Sequence, residues 1–228
     1  MDIKVDAETE ALTKWLDATQ KKHLPSVYRN SLNETAFETM KQLKTDLPKY
    51  IDRPTPFTTK GIQYGRAEKT KLVAKVGFAS KNFGKRPAGA TTYPADYMHR
   101  LTYGGTRTPT RTATPVPTKH YKTNKFGNIK RNDISKFLGN DKKYFSGIPK
   151  GMHNPESAGI WKRMGRGGRK NIVMVIAWEN STKYSAIYPF GQQVSTAVRK
   201  KFKGIFYKHM NDVLRRKGVP YTPKFKLY

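Results

Sequence analysis

The residues best suited to act on a ligand lie in the stretch Lys162-Arg163-Met164-Gly165-Arg166-Gly167-Gly168-Arg169-Lys170. Lys162, Arg163, Arg166, Arg169 and Lys170 stand among Gly165, Gly167 and Gly168. Glycine lets a phosphate approach the backbone, and guanidinium groups pair with phosphate oxygens bidentately. A turn of this kind grips a nucleic-acid backbone without reading its sequence. The same residues also suit a solvated hairpin tip or a contact with an acidic protein surface. Arg199, Lys200 and Lys203 form a second, similar candidate on the cationic side of a C-terminal helix, although charge on the back of a helix is often simply solvated.

Other chemistry has little to build on. His153-Asn154 followed by Glu156 invites a nuclease reading, but no partner carboxylates mark a site for a hydrolytic Mg²⁺. His23, His99, His120, His153 and His209 show no ligand spacing. The chain has no phosphate-binding Gly-Lys-Ser/Thr loop, no HExxH and no Gly-x-Ser-x-Gly. With no cysteine there is no disulfide, thiol nucleophile or Cys-based zinc site. Neither catalysis nor a cofactor or metal is expected.

The basic turn must be positioned by its flanks. Asn171-Ile172-Val173-Met174-Val175-Ile176-Ala177-Trp178 is the longest apolar run. It is rich in β-branched residues and short for a helix, so it reads as a central strand buried on both faces. Gly159 to Arg163 reads as the strand before the turn. Lys183 to Tyr188 alternates, as a third strand with one wet face would. A long helix follows, from about Val194 to Lys217. Val194, Val198, Phe202, Ile205, His209 and Val213 share one side of it, and Gly218 and Pro220 end it.

The rest of the chain is polar. Hydrophobic residues are 36% of 228, so the core is modest, and aromatic residues, at 12%, supply much of it. The formal charge is +29, from 45 Lys and Arg against 16 Asp and Glu. Such a surplus favours a polyanionic partner, either nucleic acid or acidic members of an assembly. No run approaches the roughly 18 apolar residues of a membrane span. The N-terminus lacks the apolar core of a signal peptide, so the expectation is a chain made in the cytoplasm that stays soluble or assembles there.

In order, a helix opens at Asp6 and runs to His23. A second starts at Pro25 or at Ser31, where Ser31-Leu32-Asn33-Glu34 has capping-box form. Leu32, Ala36, Met40, Leu43 and Leu47 make its apolar stripe. The prolines of Arg53 to Thr58 force an extended segment, and Lys60–Tyr64 and Lys71–Phe78 are strand candidates joined by a polar turn. Residues 79–130, rich in Gly, Pro, Thr and Lys, read as an extended arm that orders against neighbours or stays disordered. A short helix interrupts it at Pro94 to Tyr103, ended by Gly104-Gly105. A second short helix spans Arg131 to Gly139, with an Asn or Asp cap and a Gly stop, and Tyr144 to Ile148 adds a strand. The expected fold is α+β in a single domain, 1–228. Its parts are an N-terminal helical pair (1–48), the arm (79–130), and an antiparallel sheet or partly closed barrel with the C-terminal helix packed on it (144–217).

Several motifs, taken in order, resemble the minor tail protein Z and tail-completion family of bacteriophage structural proteins. They are Leu32-Asn33-Glu34-Thr35-Ala36-Phe37 with Leu47-Pro48, then Arg53-Pro54-Thr55-Pro56-Phe57-Thr58, then Tyr97 to Arg107, Val116-Pro117, Lys125 to Ile129, and the closing helix from Phe202 to Leu214. The resemblance implies a virion component at the neck or tail that forms a homo-oligomeric ring. Its neighbours would be portal, connector, terminator or tube proteins, and packaged DNA. It supplies no catalytic residues. The high charge and the Thr/Pro-rich Arg107–Thr118 depart from the pattern and leave long-tailed and short-tailed phage both open. A non-specific nucleic-acid-binding protein is the alternative reading, and a phage nuclease the more distant one.

Overall fold

The computed structural model describes residues 23–88, 91–109, 113–165 and 171–216. The chain is α+β and divides into two compact units. The first comprises residues up to Leu47, Pro56–Asp96 and the chain from Pro189 onward; the second comprises Pro48–Thr55 and Tyr97–Tyr188. The expected helix from Asp6 falls outside the described residues.

In the first unit, α1 spans Leu24–Asp46 with Pro25 in its first turn, where a missing N–H costs nothing. The expected capping box is not one. Ser31 lies inside the helix and its hydroxyl donates to Val27 O at 2.7 Å, while Glu34 reaches across to another helix. Val27, Ala36, Met40 and Leu43 are buried, and so are Ser31, Thr35 and Thr39. That partner helix is α5, Phe190–Arg216. Its expected apolar side is half-buried, and Tyr28 and Phe206 meet with ring centroids 5.0 Å apart. The helix begins at Phe190, earlier than the apolar spacing suggests, because Phe190 packs on Phe78 at 5.3 Å.

Between these helices in sequence come α2 (Pro56–Lys60), β1 (Ile62–Gly65) and β2 (Lys75–Phe78). Pro56 opens a short helix where an extended segment is expected, since proline is disfavoured only beyond the first turn. β1 and β2 form an antiparallel ribbon, with Gly65 opposite Lys75. The second strand is shorter than its alternation implies. Glu68 and Lys71 exchange backbone hydrogen bonds at 3.0 and 3.2 Å, and this turn leaves Leu72 and Val73 exposed.

Two side-chain amides pin the ribbon's loops. Asn33 accepts from Ala67 N–H at 2.6 Å and donates to Ala67 O at 3.1 Å. Gln63 does the same for Lys85, at 2.7 Å each way. Phe83 closes over Gly65 and Gly77, where an added Cβ would lie 3.3 Å from its ring. Asn33→Ala should therefore cost about 1–2 kcal/mol, because the part-buried Ala67 amide loses both partners. Urea denaturation and faster hydrogen exchange at the Ala67 amide would measure it.

The second unit is built on a four-stranded antiparallel sheet of order β4-β7-β6-β5: Thr114–Pro117, Asn171–Glu179, Gly159–Met164 and Tyr144–Gly147. The apolar run is an inner strand as expected, and its successive residues Val175 and Ile176 are 3% and 0% exposed, one on each face. They join Tyr121 and Ile160 in a core flanked by Ile129, Tyr144, Trp178 and residues of α4 (Asp133–Leu138). Asn132 precedes α4 in a left-handed conformation and its side chain makes no capping bond. α3 (Pro94–Tyr103) ends at Gly104, with φ +75°.

Three expectations are corrected here. The strand after the apolar run, β8 (Thr182–Tyr184), pairs with β3 (Gly105–Arg107), because β4 already occupies the free edge of β7. The sheet and the C-terminal helix belong to different units, so 144–217 is not one body. The described residues of 79–130 are largely tied down rather than extended as an arm. Ala79–Lys85 fold onto the ribbon, Thr114–Pro117 form a strand, and Thr118 donates to Met174 and Val175 carbonyls. Prolines 115 and 117 suit an edge strand, where a missing donor breaks no ladder. Among the described residues no helix is long and apolar enough to cross a membrane.

Candidate nucleic-acid interface

Of the basic turn, Arg166, Arg169 and Lys170 lie outside the described residues. Lys162 and Arg163 stand on β6, opposite Val173 and Ile172. Arg163 is partly committed to the fold. Its Nη1 donates to Asp141 O at 2.6 Å and to Tyr144 O at 2.7 Å. Its guanidinium lies 4.7 Å from the Phe145 ring centre, and Phe145 is nearly parallel to Trp161, at 13°. The aromatic stack and the two carbonyls fix this guanidinium, leaving only part of its donor fork for a phosphate. Lys162 is half-buried.

Arg199, Lys200 and Lys203 are exposed on α5, and none joins an ion pair among the described residues. Their neighbours on the same helix behave differently. Lys201 donates to Glu38 O at 3.1 Å, and Lys208 pairs with Glu34 at 2.8 Å. The helix thus sorts its cations: one side staples α1, the other faces solvent.

A further cationic surface lies on the loop between β1 and β2 and the chain just after β2. From Arg66 to Arg86 the chain carries Arg66, Lys69, Lys71, Lys75, Lys81, Lys85 and Arg86, all exposed, against the single acid Glu68. Read in sequence, this is a polar hairpin and the start of an arm. In the structure the Asn33 and Gln63 clamps hold it in place. Two recesses flank the Arg66–Glu68 turn. One, of about 700 Å³, is lined by Arg29, Phe37, Tyr64, Arg66, Lys69 and His209 among others. The other, of about 200 Å³, is lined by Arg66, Lys71, Lys75, Gly65, Glu68 and Phe83 among others. The surplus of cations in 66–86 was visible in the sequence; the contributions of Arg29 and His209 needed the fold.

Glu34 also lines the larger recess, but its charge is spent. Its Oε1 is 2.8 Å from Lys208 Nζ and its Oε2 is 2.7 Å from His209 Nε2. The Lys208 hydrogen bond holds the carboxyl below its ordinary value, burial opposes this, and the His209 bond adds to the lowering. The bond to Glu34 raises Lys208 in turn. A lowered carboxyl stabilises the fold above its unfolded value near 4.5 and loses that contribution as pH falls through its folded value. A raised ammonium stabilises below its unfolded value near 10.5 and loses it as pH rises through its folded value. Glu34→Gln should therefore lower the thermal midpoint slightly at pH 7, solvent screening keeping the effect small. The difference between variant and parent should shrink as pH falls below 4.5, through the folded value of the carboxyl.

No family model, curated protein or solved structure matches this chain.

The nuclease reading finds a local explanation for its residues. Asn154 Oδ1 accepts from Glu156 N–H at 2.9 Å and caps the 3-10 turn Pro155–Ser157. His153 and Glu156 are exposed. Among the described residues no three His, Cys, Asp or Glu come together as a metal-holding group.

Proposed function

We propose that this chain is a structural subunit of a bacteriophage virion, at the neck or tail. It assembles as a ring and meets portal, connector, terminator or tube proteins beside the DNA channel. The observation that carries this reading is the charge: 16 acids cannot pair with 45 cations, so a net +29 remains on 228 residues. Copies of such a chain repel one another unless a polyanion or acidic partners sit beside them. The ordered motifs that resemble tail-completion proteins supply the setting, and packaged DNA is the polyanion found there.

The test is assembly. The chain, produced with the structural proteins of its phage, is expected in purified particles and as closed rings by electron microscopy. A chain absent from particles and monomeric at high concentration, yet tightly bound to DNA with steep salt dependence, would instead be a free-standing non-specific nucleic-acid-binding protein.

A further inference from the structure

We infer that the clamped β1–β2 loop around Arg66 is a main contact with the phosphate backbone of duplex DNA. The inference rests on the reading above in one respect, that DNA is the polyanion this subunit meets.

Four observations converge on it. Arg66 lines both recesses, so cations lie on either side of one short turn: Arg29 and Lys69 in the larger, Lys71 and Lys75 in the smaller. The turn is held at a fixed place by the two-way Asn33–Ala67 hydrogen bonds, so its charges are presented with little ordering cost on binding. Of the two acids beside it, Glu34 is paired with Lys208 and hydrogen-bonded to His209, which leaves Glu68 as the one unpaired acid lining the recess. Finally, Arg66, Lys71 and Lys75 are exposed and enter no ion pair among the described residues, and Arg66 Nε makes a long hydrogen bond of 3.4 Å to Tyr64 Oη. The smaller recess, of about 200 Å³ with cations on its walls, has room for a phosphate of a nucleic-acid strand. Because the contacts are to phosphate, binding is sequence-independent and strongly salt-dependent.

The experiment is a salt titration of duplex binding by the full chain, comparing R66A/K71A/K75A with K136A/K142A/K150A. The second set removes the same charge from exposed lysines of the other unit. Removing one cation that touches a phosphate lowers the slope of log K against log salt by about 0.9. The hairpin variant should lose about 2.7 in slope and more than about tenfold in affinity at moderate salt, with unchanged circular dichroism. The control should lose less than one unit of slope. Equal losses in the two variants would overturn the inference, since charge alone and not this site would then explain binding. So would polyglutamate that binds as tightly as DNA and is weakened equally by the hairpin variant; the loop would then serve an acidic protein. Ring formation scored on the same variants keeps the two ideas apart. Rings with unaltered DNA affinity sink the site but not the virion reading, and site-dependent DNA binding without rings or particles does the reverse.

Discussion

Gly159→Ala is expected to destabilise the second unit by about 3 kcal/mol or more. Gly159 begins β6 opposite Ala177 of β7. A Cβ built there would fall inside the contact distance of Ile176 O, with Met174 Cγ at 3.2 Å and Ala177 Cα at 3.3 Å. Two of these three atoms are backbone of the inner strand, and they cannot rotate away. Relief requires β6 and β7 to separate beside Ile160 and Ile176, both fully buried. The pairing there already carries a register shift between Ile160 and Trp161. In a Trp15→Phe background, Trp161 and Trp178 alone report urea unfolding, and both belong to this unit. A midpoint within experimental error of the parent would show that the strands have more room than their spacing implies. Gly191→Ala makes a suitable control, since nothing lies within 4 Å of a Cβ there.

Tyr121→Ala is expected to cost about 3–5 kcal/mol, as truncation of a buried aromatic does, and to free the segment between Thr118 and α4. The ring is 9% exposed and packs edge-on against Phe137 at 6.1 Å. Its hydroxyl donates to Asp133 Oδ2 at 2.8 Å and accepts from Lys130 N–H at 2.8 Å. Tyr121→Phe keeps the ring but strands that N–H, so it should cost about 1–2 kcal/mol. Hydrogen exchange separates the two roles: the Lys130 amide should exchange faster in both variants, and the core amides of β7 only in Tyr121→Ala. Burial is the main reason the phenol titrates above its ordinary value, and Asp133 adds to it against the Lys130 hydrogen bond. A phenol raised in the fold stabilises fully below its unfolded value near 10 and loses this as pH rises through its folded value. The parent should therefore lose stability in alkali above about pH 10 more steeply than Tyr121→Phe.

The same two positions show why parts of the fold could not be read locally. Tyr121 sits in a Thr-, Lys- and Pro-rich stretch with no hydrophobic period. Its burial comes from Ile160, Val175 and Ile176, about forty or more residues ahead in the chain, and its hydroxyl is fixed by partners nine and twelve residues away. A segment anchored at single points looks like an arm until its anchors are found. The helices, by contrast, announce themselves. The spacing of Val194, Val198, Phe202, Ile205, His209 and Val213 places their common side correctly, because a 3.6-residue period is a property of the chain alone. β7 was legible for a similar reason, since a short, mostly apolar run with four β-branched residues has few other ways to be buried.

What each apolar side is buried against is a different kind of question. α5 follows the sheet in sequence, yet it packs on α1 far back in the chain, and β8 bypasses β7 for β3. These choices depend on which surface is already taken, and no local pattern records that. The cations divide along the same line. Their number and their surplus over acids were set by composition, since charge counts regardless of fold. Which of them are spent and which are presented was decided only by the tertiary structure. Arg163 is turned onto the Asp141 and Tyr144 carbonyls and Lys208 onto Glu34, while the turn that carries Arg66 is held beside two recesses by an asparagine thirty-odd residues earlier.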